Sequence, residues 1–472
     1  MFCQLETLRH CFPTNLRQFL NELPESLDQT YEQILKGINK AQKEDARRLL
    51  QCLTVAARPL RVEELAELLA FDFQATNDGG IPAFRANWRE NDQEQAVLST
   101  CSSLIAIVRD GSSRVVQFSH FSVKEYLTSR RLAESCGDAS WFHVDLNAAH
   151  TILAQACLGT LLRLDERTAN SSPKGSPLVE YAAQHWVEHA QFEDVASRVQ
   201  DGMDDLFDDS KPYFSAWLRV HDIDERWVNF SGRRKCVGSP LYYAAFCGLR
   251  DLAARLIMKR PEQVNARGGY VLAPLPAALS KGHFRVADLL WKHGAVVDVQ
   301  DSGEWTPLHT AGRSGSVDII RWLLNHGANA RAQTDLRRTP LHMAACAMDL
   351  GAVEVLLEHE LQPDINLQDT YGDTPLHDVL RKFRRFQEGQ VVAIARRLLE
   401  HGADPNIRHR SGSTPLHRAS SHGSLEVARL LLSYGASIDE KDEEDRTPFQ
   451  VASLHGHHGI MKLLLERGTV PP

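Results

Sequence analysis

Four residues, Thr306-Pro307-Leu308-His309, return in whole or in part down the second half of this 472-residue chain, and that recurrence restricts the fold more than any other feature. The anchoring prolines are Pro240, Pro274, Pro307, Pro340, Pro375, Pro415 and Pro448, at intervals of 34, 33, 33, 35, 40 and 33 residues. Each position has a physical job. A threonine hydroxyl caps a helix, proline carries the φ of the first helical position where no N–H is needed, and leucine starts an apolar face. Gly315 then falls between two helices, and Gly327 supplies the left-handed residue that ends the second. Between them Ile319, Ile320, Leu323 and Leu324 recur at helical spacing. One helix pair alone cannot bury such a stripe. Seven in a row can, which predicts a continuous solenoid from about Cys236 onward.

A period near 33 that opens on T-P-L-H resembles the ankyrin repeat. The resemblance implies that the array binds a protein ligand on its concave face. Ankyrin fingertips lie just ahead of each Thr-Pro, so Trp305, Arg337, Arg338, Tyr371, Asp373, Arg410 and Arg446 are expected to be exposed along one edge. An exposed tryptophan beside arginines is the composition of a binding hot spot. The 40-residue interval reads as an extended first helix or loop, Arg381 to Gly389, basic with two aromatics. It is either a tolerated surface insertion or, around Arg384, a contact for an acidic partner. The first two units, Ser239-Pro240-Leu241-Tyr242 and Ala273-Pro274-Leu275-Pro276, lack the histidine.

The first half has a different pattern. Leu16, Phe19 and Leu20 mark one helix, and Pro24 opens a second carrying Leu27, Tyr31, Ile34 and Leu35. Arg47 to Ala57 reads as a helix broken by Arg58-Pro59-Leu60, and Val62 to Phe71 as another. Ser103–Val108 and Val115–Phe118 read as strands of a hairpin around Asp110-Gly111. Helices followed by a hairpin are the order of a winged helix. The next segment has the Ser122 and Glu125 spacing of a capping box, with His120 just before it.

The phrases LPESLDQTYEQIL, RPLRVEELAELLAF and HFSVKEYL resemble the region that follows the NACHT nucleotide-binding module in fungal NACHT–ankyrin proteins of the NLR-like STAND class. FCQLETLRHCFP is similar to the end of that module, and YFSAWLRVHDID also looks family-like. The resemblance implies that His120 contacts the β-phosphate of a bound nucleotide. The competing reading is a histidine that ends a strand and packs on the next helix. The chain departs from the family in lacking any Gly-Lys dipeptide, and so any phosphate-binding P-loop. That leaves a regulatory and sensor portion without its motor, whose nucleotide-binding partner would be a separate chain, or else an inactive truncated gene product.

Charge bears on the remaining classes. The part from Cys236 carries 27 basic and 27 acidic residues, so the whole net charge of −8 lies before it, which disfavours nucleic-acid or anionic-membrane binding there. A winged-helix DNA-binding regulator is the alternative. Against it, Glu63, Glu64 and Glu67 place carboxylates and no basic residue on the helix from Val62. Nine scattered cysteines without a C-x-x-C pair suit a reducing, cytoplasmic setting, and no 18-residue apolar run or signal-peptide core is present. His455, His457 and His458 belong to a repeat loop, and the aspartates from Asp201 to Asp209 lack the glycine and terminal glutamate of a calcium loop. The expectation is therefore a mostly α, non-enzymatic protein with no cofactor and no metal. It has a NACHT remnant and winged-helix domain at 1–136, a helical spacer at 137–235 and ankyrin repeats at 236–472.

Overall fold

The computed structural model describes residues 27–73, 80–85, 97, 103–111, 113–135, 137–164, 176–224, 237–360, 363–381 and 387–468. The expectations placed on Leu16, Phe19, Leu20, Pro24 and Arg384 lie outside those residues. The described chain is mostly helical, a winged-helix domain followed by ankyrin repeats, and it divides into two compact units between residues 234 and 235.

In the first unit, helix Leu27–Lys36 buries Tyr31 and Leu35, one turn apart, and helix Lys43–Val55 buries Leu49, Leu50 and Cys52. Helix Val62–Leu69 starts where it does because Glu64 reaches back over its own N-terminus. The Glu64 carboxylate accepts the Arg61 N–H at 2.8 Å and two Arg58 guanidinium bonds at 2.7 and 2.9 Å. Burial would push Glu64 up, but the bonds from Arg58 and Arg61 hold it below the ordinary carboxylate range. The helix ends at Leu69, earlier than its periodicity suggests, because Phe71–Asp72 turns into a short strand paired with Ala83–Phe84. The hairpin pairs Ile105–Asp110 with Ser113–Phe118, and Leu60–Arg61 adds a third antiparallel strand opposite Val116 and Val115.

The helical middle packs onto this winged helix within the same unit. Helix Leu146–Leu161 is buried on nearly every side, between Lys43–Val55 and Val179–Ala190. Helix Tyr213–Val220 drives Trp217 edge-on against Trp186 at 5.6 Å, with Trp217 Nε1 donating to the Ala183 carbonyl at 3.0 Å. The Y-F-S-A-W-L phrase is therefore a core-packing motif.

This packing changes the argument about DNA. Glu64 and Glu67 are both buried, and Glu67 accepts the Leu178 N–H at 2.9 Å and the Ser176 hydroxyl at 2.6 Å. The helix is not an acidic face that repels phosphate, as its sequence suggested. It is covered, with Val62, Leu65, Ala66, Leu68 and Leu69 also buried, and a covered helix cannot enter a major groove.

In the second unit every repeat is a helix pair opened by its proline, from Pro240–Phe246 with Arg250–Lys259 to Pro448–Leu454 with His458–Glu466. The signature histidine does more than its sequence suggested. His342 Nδ1 accepts the Thr339 N–H at 3.1 Å, closing the cap, while Nε2 on the far side of the ring meets the Asp373 carbonyl of the next repeat at 3.2 Å. His309 meets Arg338 O and His417 meets Arg446 O in the same way, each at 2.9 Å. The histidine is thus a strut between repeats, and it must be the neutral Nε2–H tautomer to accept on one side and donate on the other. The first repeat has a tyrosine instead, and Tyr242 Oη accepts the Val271 N–H at 3.4 Å.

The long interval was read as an extended first helix or loop. Among the described residues the first helix covers Pro375–Arg381, and the second runs from Glu388 to Glu400, 13 residues where its neighbours have 9. Part of the added length is therefore an extra turn on the second helix. Leu323, fully buried on helix Val317–Asn325, lies in the stacking core. Leu323→Ala is expected to cost about 3 kcal/mol by chemical denaturation, from lost transfer energy plus the cavity left behind.

Candidate functional site

Adjacent fingers are stitched edge to edge by main-chain bonds. Thr370 N–H reaches Leu336 O at 3.0 Å, Arg410 N–H reaches Tyr371 O at 3.3 Å and Glu443 N–H reaches Ser411 O at 3.1 Å. The residue just before each threonine closes its own hairpin, as when Thr334 N–H bonds Arg338 O and Asp369 N–H bonds Asp373 O. This hairpin register separates the candidate residues into two groups.

Arg337, Tyr371 and Arg410 are exposed, as expected, and Tyr371 retains 54% of its surface. Leu336, which the sequence reading passed over, is exposed beside them at the position equivalent to Tyr371. One-to-one alignment of the fingers was the signal that could have found it.

The residues immediately before threonine are not exposed tips. Trp305 is half-buried, with the Arg313 guanidinium 5.0 Å above its ring. Arg338 turns inward to a carboxylate with no exposed side-chain surface, Asp378 on the first helix of the following repeat. Asp373 is buried and accepts from Arg418 Nη2 at 2.6 Å, again one repeat on. Arg446 is tied down by Asp442 at 2.8 and 3.0 Å. Each position sits at the closing pair of its hairpin, where Arg338 and Asp373 meet the first helix of the following repeat and Arg446, partly exposed, meets carboxylates of its own finger.

The result is a diagonal lattice of charge across three repeats. Arg338 pairs with Asp378, Arg381 reaches Asp378 at 2.9 Å, and Arg418 pairs with Asp373, which His409 approaches at 3.7 Å. Burial pushes Asp378 up to about 6 against the pull of Arg338 and Arg381. Beneath it His377 is buried, and its Nε2 lies near the Ser413 carbonyl without a well-formed bond.

His120 lies in the other unit, at the start of helix Phe121–Leu127. Ser122 was expected to open a capping box there. His120 is itself the cap: its Nδ1 accepts the Ser122 N–H at 3.2 Å and lies 2.6 Å from Ser122 Oγ. That geometry places the ring proton on Nε2, and the ring is exposed, its centroid 4.3 Å from that of Phe121 and tilted 34° to it. The packing role is met locally, and one N–H is left facing outward.

The other histidine clusters are structural. His455 Nδ1 bonds Val451 O at 3.0 Å and His457 Nε2 bonds Ser421 O at 3.3 Å, so the repeat already uses both. In the first unit Tyr181 Oη accepts the Ala57 N–H at 3.1 Å and donates to His189 Nε2 at 2.8 Å. His189 Nδ1 then lies 3.0 Å from His150 Nδ1. Burial and the neighbouring His150 lower His189 to about 3, so this chain is neutral and ties the Ala57 turn to the helical middle. No helix among the described residues is long and apolar enough to cross a membrane.

Comparison with known proteins agrees with this division. Residues 31–139 match the model described as "GPI inositol-deacylase, winged helix domain". Residues 241–334 and 385–471 match "Ankyrin repeats (3 copies)", and residues 323–377 match "Ankyrin repeats (many copies)". The chain is similar to "Azaphilone pigments biosynthesis cluster protein L" of Monascus ruber, with 31% identity over 298 residues, 59% of this chain and 61% of that protein. It thus spans less than two thirds of the length of that relative. Ankyrin repeats are non-catalytic protein-interaction modules, and this array presents one exposed finger edge above a charge lattice that is internally paired.

Proposed function

We propose that this chain is the non-enzymatic recognition and regulatory portion of an NLR-like signalling protein, its ankyrin repeats binding a protein ligand. The observation that carries the reading is the finger edge itself. Leu336, Arg337, Tyr371 and Arg410 offer exposed apolar, aromatic and guanidinium groups on hydrogen-bonded hairpins, while the charges around them are spent on one another. Rigid anchors of these types are what protein interfaces use. The winged-helix unit serves as the switch. These 472 residues contain no P-loop, so the Nε2–H of His120 meets the phosphate of a nucleotide held outside them, on a separate chain. Binding to DNA is disfavoured by the covered helix Val62–Leu69.

The test is site-specific photo-crosslinking in the full chain. A crosslinker replacing Tyr371 is expected to capture a defined protein, whereas one replacing Glu426, on the second helix of its repeat, is expected to capture little. Equal capture from the two positions, or none from Tyr371, sinks the reading.

A further inference from the structure

The proposed recognition edge has a charge pattern that selects its partner. Arg337 and Arg410 are exposed, and among the described residues neither side chain makes an ion pair or hydrogen bond. Of the nearby carboxylates, Asp373 and Asp378 are buried and paired with Arg418, Arg338 and Arg381, while the exposed Asp335, in the turn of Arg337, and Glu443, on the finger next to Arg410, make no ion pair with either arginine. The two guanidinium groups therefore stand unpaired, two fingers apart, with Tyr371 on the finger between them and Leu336 beside Arg337.

Arg337 also occupies its place at a conformational cost. Its φ is +58°, at the finger position where Gly372 (+81°), Gly412 (+70°), Glu304 (+61°) and Asp445 (+58°) are also left-handed. A left-handed non-glycine residue is strained by about 1 kcal/mol or more. The side chain makes no contact that would repay this within the fold.

We infer that this edge, resting on the protein-recognition reading above, captures a short extended acidic segment of a partner protein. Carboxylates of that segment bind Arg337 and Arg410, and an apolar or aromatic side chain between them packs on Tyr371 and Leu336. Neighbouring strands lie about 4.8 Å apart and each finger adds two, so two fingers span about 20 Å, the length of about six extended residues. The following finger bears Glu443, Glu444 and Asp445, and the preceding one bears Glu304. These carboxylates repel a long polyanion at both ends yet leave room for a short acidic stretch, which favours a peptide over a nucleic acid.

The experiment selects 12-residue peptides from a random displayed library on the full chain, then titrates the enriched peptide by fluorescence anisotropy. Expected are Asp and Glu flanking a central apolar or aromatic residue, with affinity that falls as salt rises. Arg337→Gly and Arg410→Gln are each expected to weaken binding at least fivefold, and Tyr371→Ala similarly. Arg337→Gly relieves the left-handed strain, so its Tm should rise while binding falls, which excludes unfolding as the cause. Absence of acidic enrichment, no selected binder, indifference to both arginine variants, or tighter binding of a single-stranded oligonucleotide each overturns the inference. If crosslinking at Tyr371 captures a protein but the acidic selection fails, the recognition reading stands and this inference falls. If no protein is captured, the reading itself falls.

Discussion

Replacing Arg338 by methionine is expected to destabilise the repeat unit by about 3 to 5 kcal/mol, the range for removing one member of a buried ion pair. Asp378 would keep only Arg381, whose side chain is 47% exposed against 16% for Arg338, and would be left largely uncompensated. Replacing both members, Arg338→Met with Asp378→Leu, is expected to recover most of the loss, because a well-packed apolar pair carries no desolvation penalty. Urea midpoints of the two variants check this. A single variant within about 1 kcal/mol of wild type would mean that the lattice contributes little. The loss should also shrink as pH falls, with the orphaned carboxyl, no longer lowered by Arg338, taking up its proton above the wild-type value of about 6.

The second large effect is acid sensitivity. Burial, opposed by the bond to the Asp373 carbonyl, lowers His342 to about 4, and burial with the nearby Arg418 lowers His377 to about 3. His309 and His417 are lowered by burial as well. Each binds its proton in the unfolded chain near 6.5 but resists it when folded, so the unfolded state gains as pH falls from about 6.5 towards 4. His342 alone contributes about 3 kcal/mol to that loss, at 1.36 kcal/mol for each unit of its shift. Asp378 acts in the opposite sense. Raised from 3.8 to about 6, it stabilises the fold at acid pH and loses that contribution as pH rises through 6. One carboxyl offsets roughly one histidine, and the others remain. Thermal unfolding is therefore expected to show the Tm of the repeat unit falling steeply between pH 6.5 and 4, and His342→Gln should flatten the slope. A Tm that does not change across that interval would refute the strut as drawn.

Much of the fold could be read from the chain because its information is local. Thr306-Pro307 fixes a helix start and Gly315 a break, each within a few residues. The candidate site was less legible because its determinants lie a repeat apart. Arg338 and Asp373 were taken for exposed tips, yet their partners are 40 and 45 residues further on. In both pairs the separation equals one repeat interval plus five residues, from the position before threonine to the position after histidine. Opposite charges at that offset were the available sign. The same offset joins Trp305 to Met343 and Ser413 to Val451, neither of them a charged pair. At His120 the error was one of chemistry: an imidazole two residues ahead of an amide N–H can cap a helix as a short polar side chain does.

The histidine struts also set how the array would yield under load. They fall at His309, His342 and His417, while His377 lacks a well-formed bond, the first two repeats have Tyr242 and Pro276 at that position and the last has Gln450. Pulled by its ends, such a structure does not give way uniformly. Its outer repeats peel first, from both directions, and tension collects on the block between Thr306 and Arg446, which the salt lattice braces further. The finger edge stands on that block, so it would be the last part of the solenoid to lose its shape.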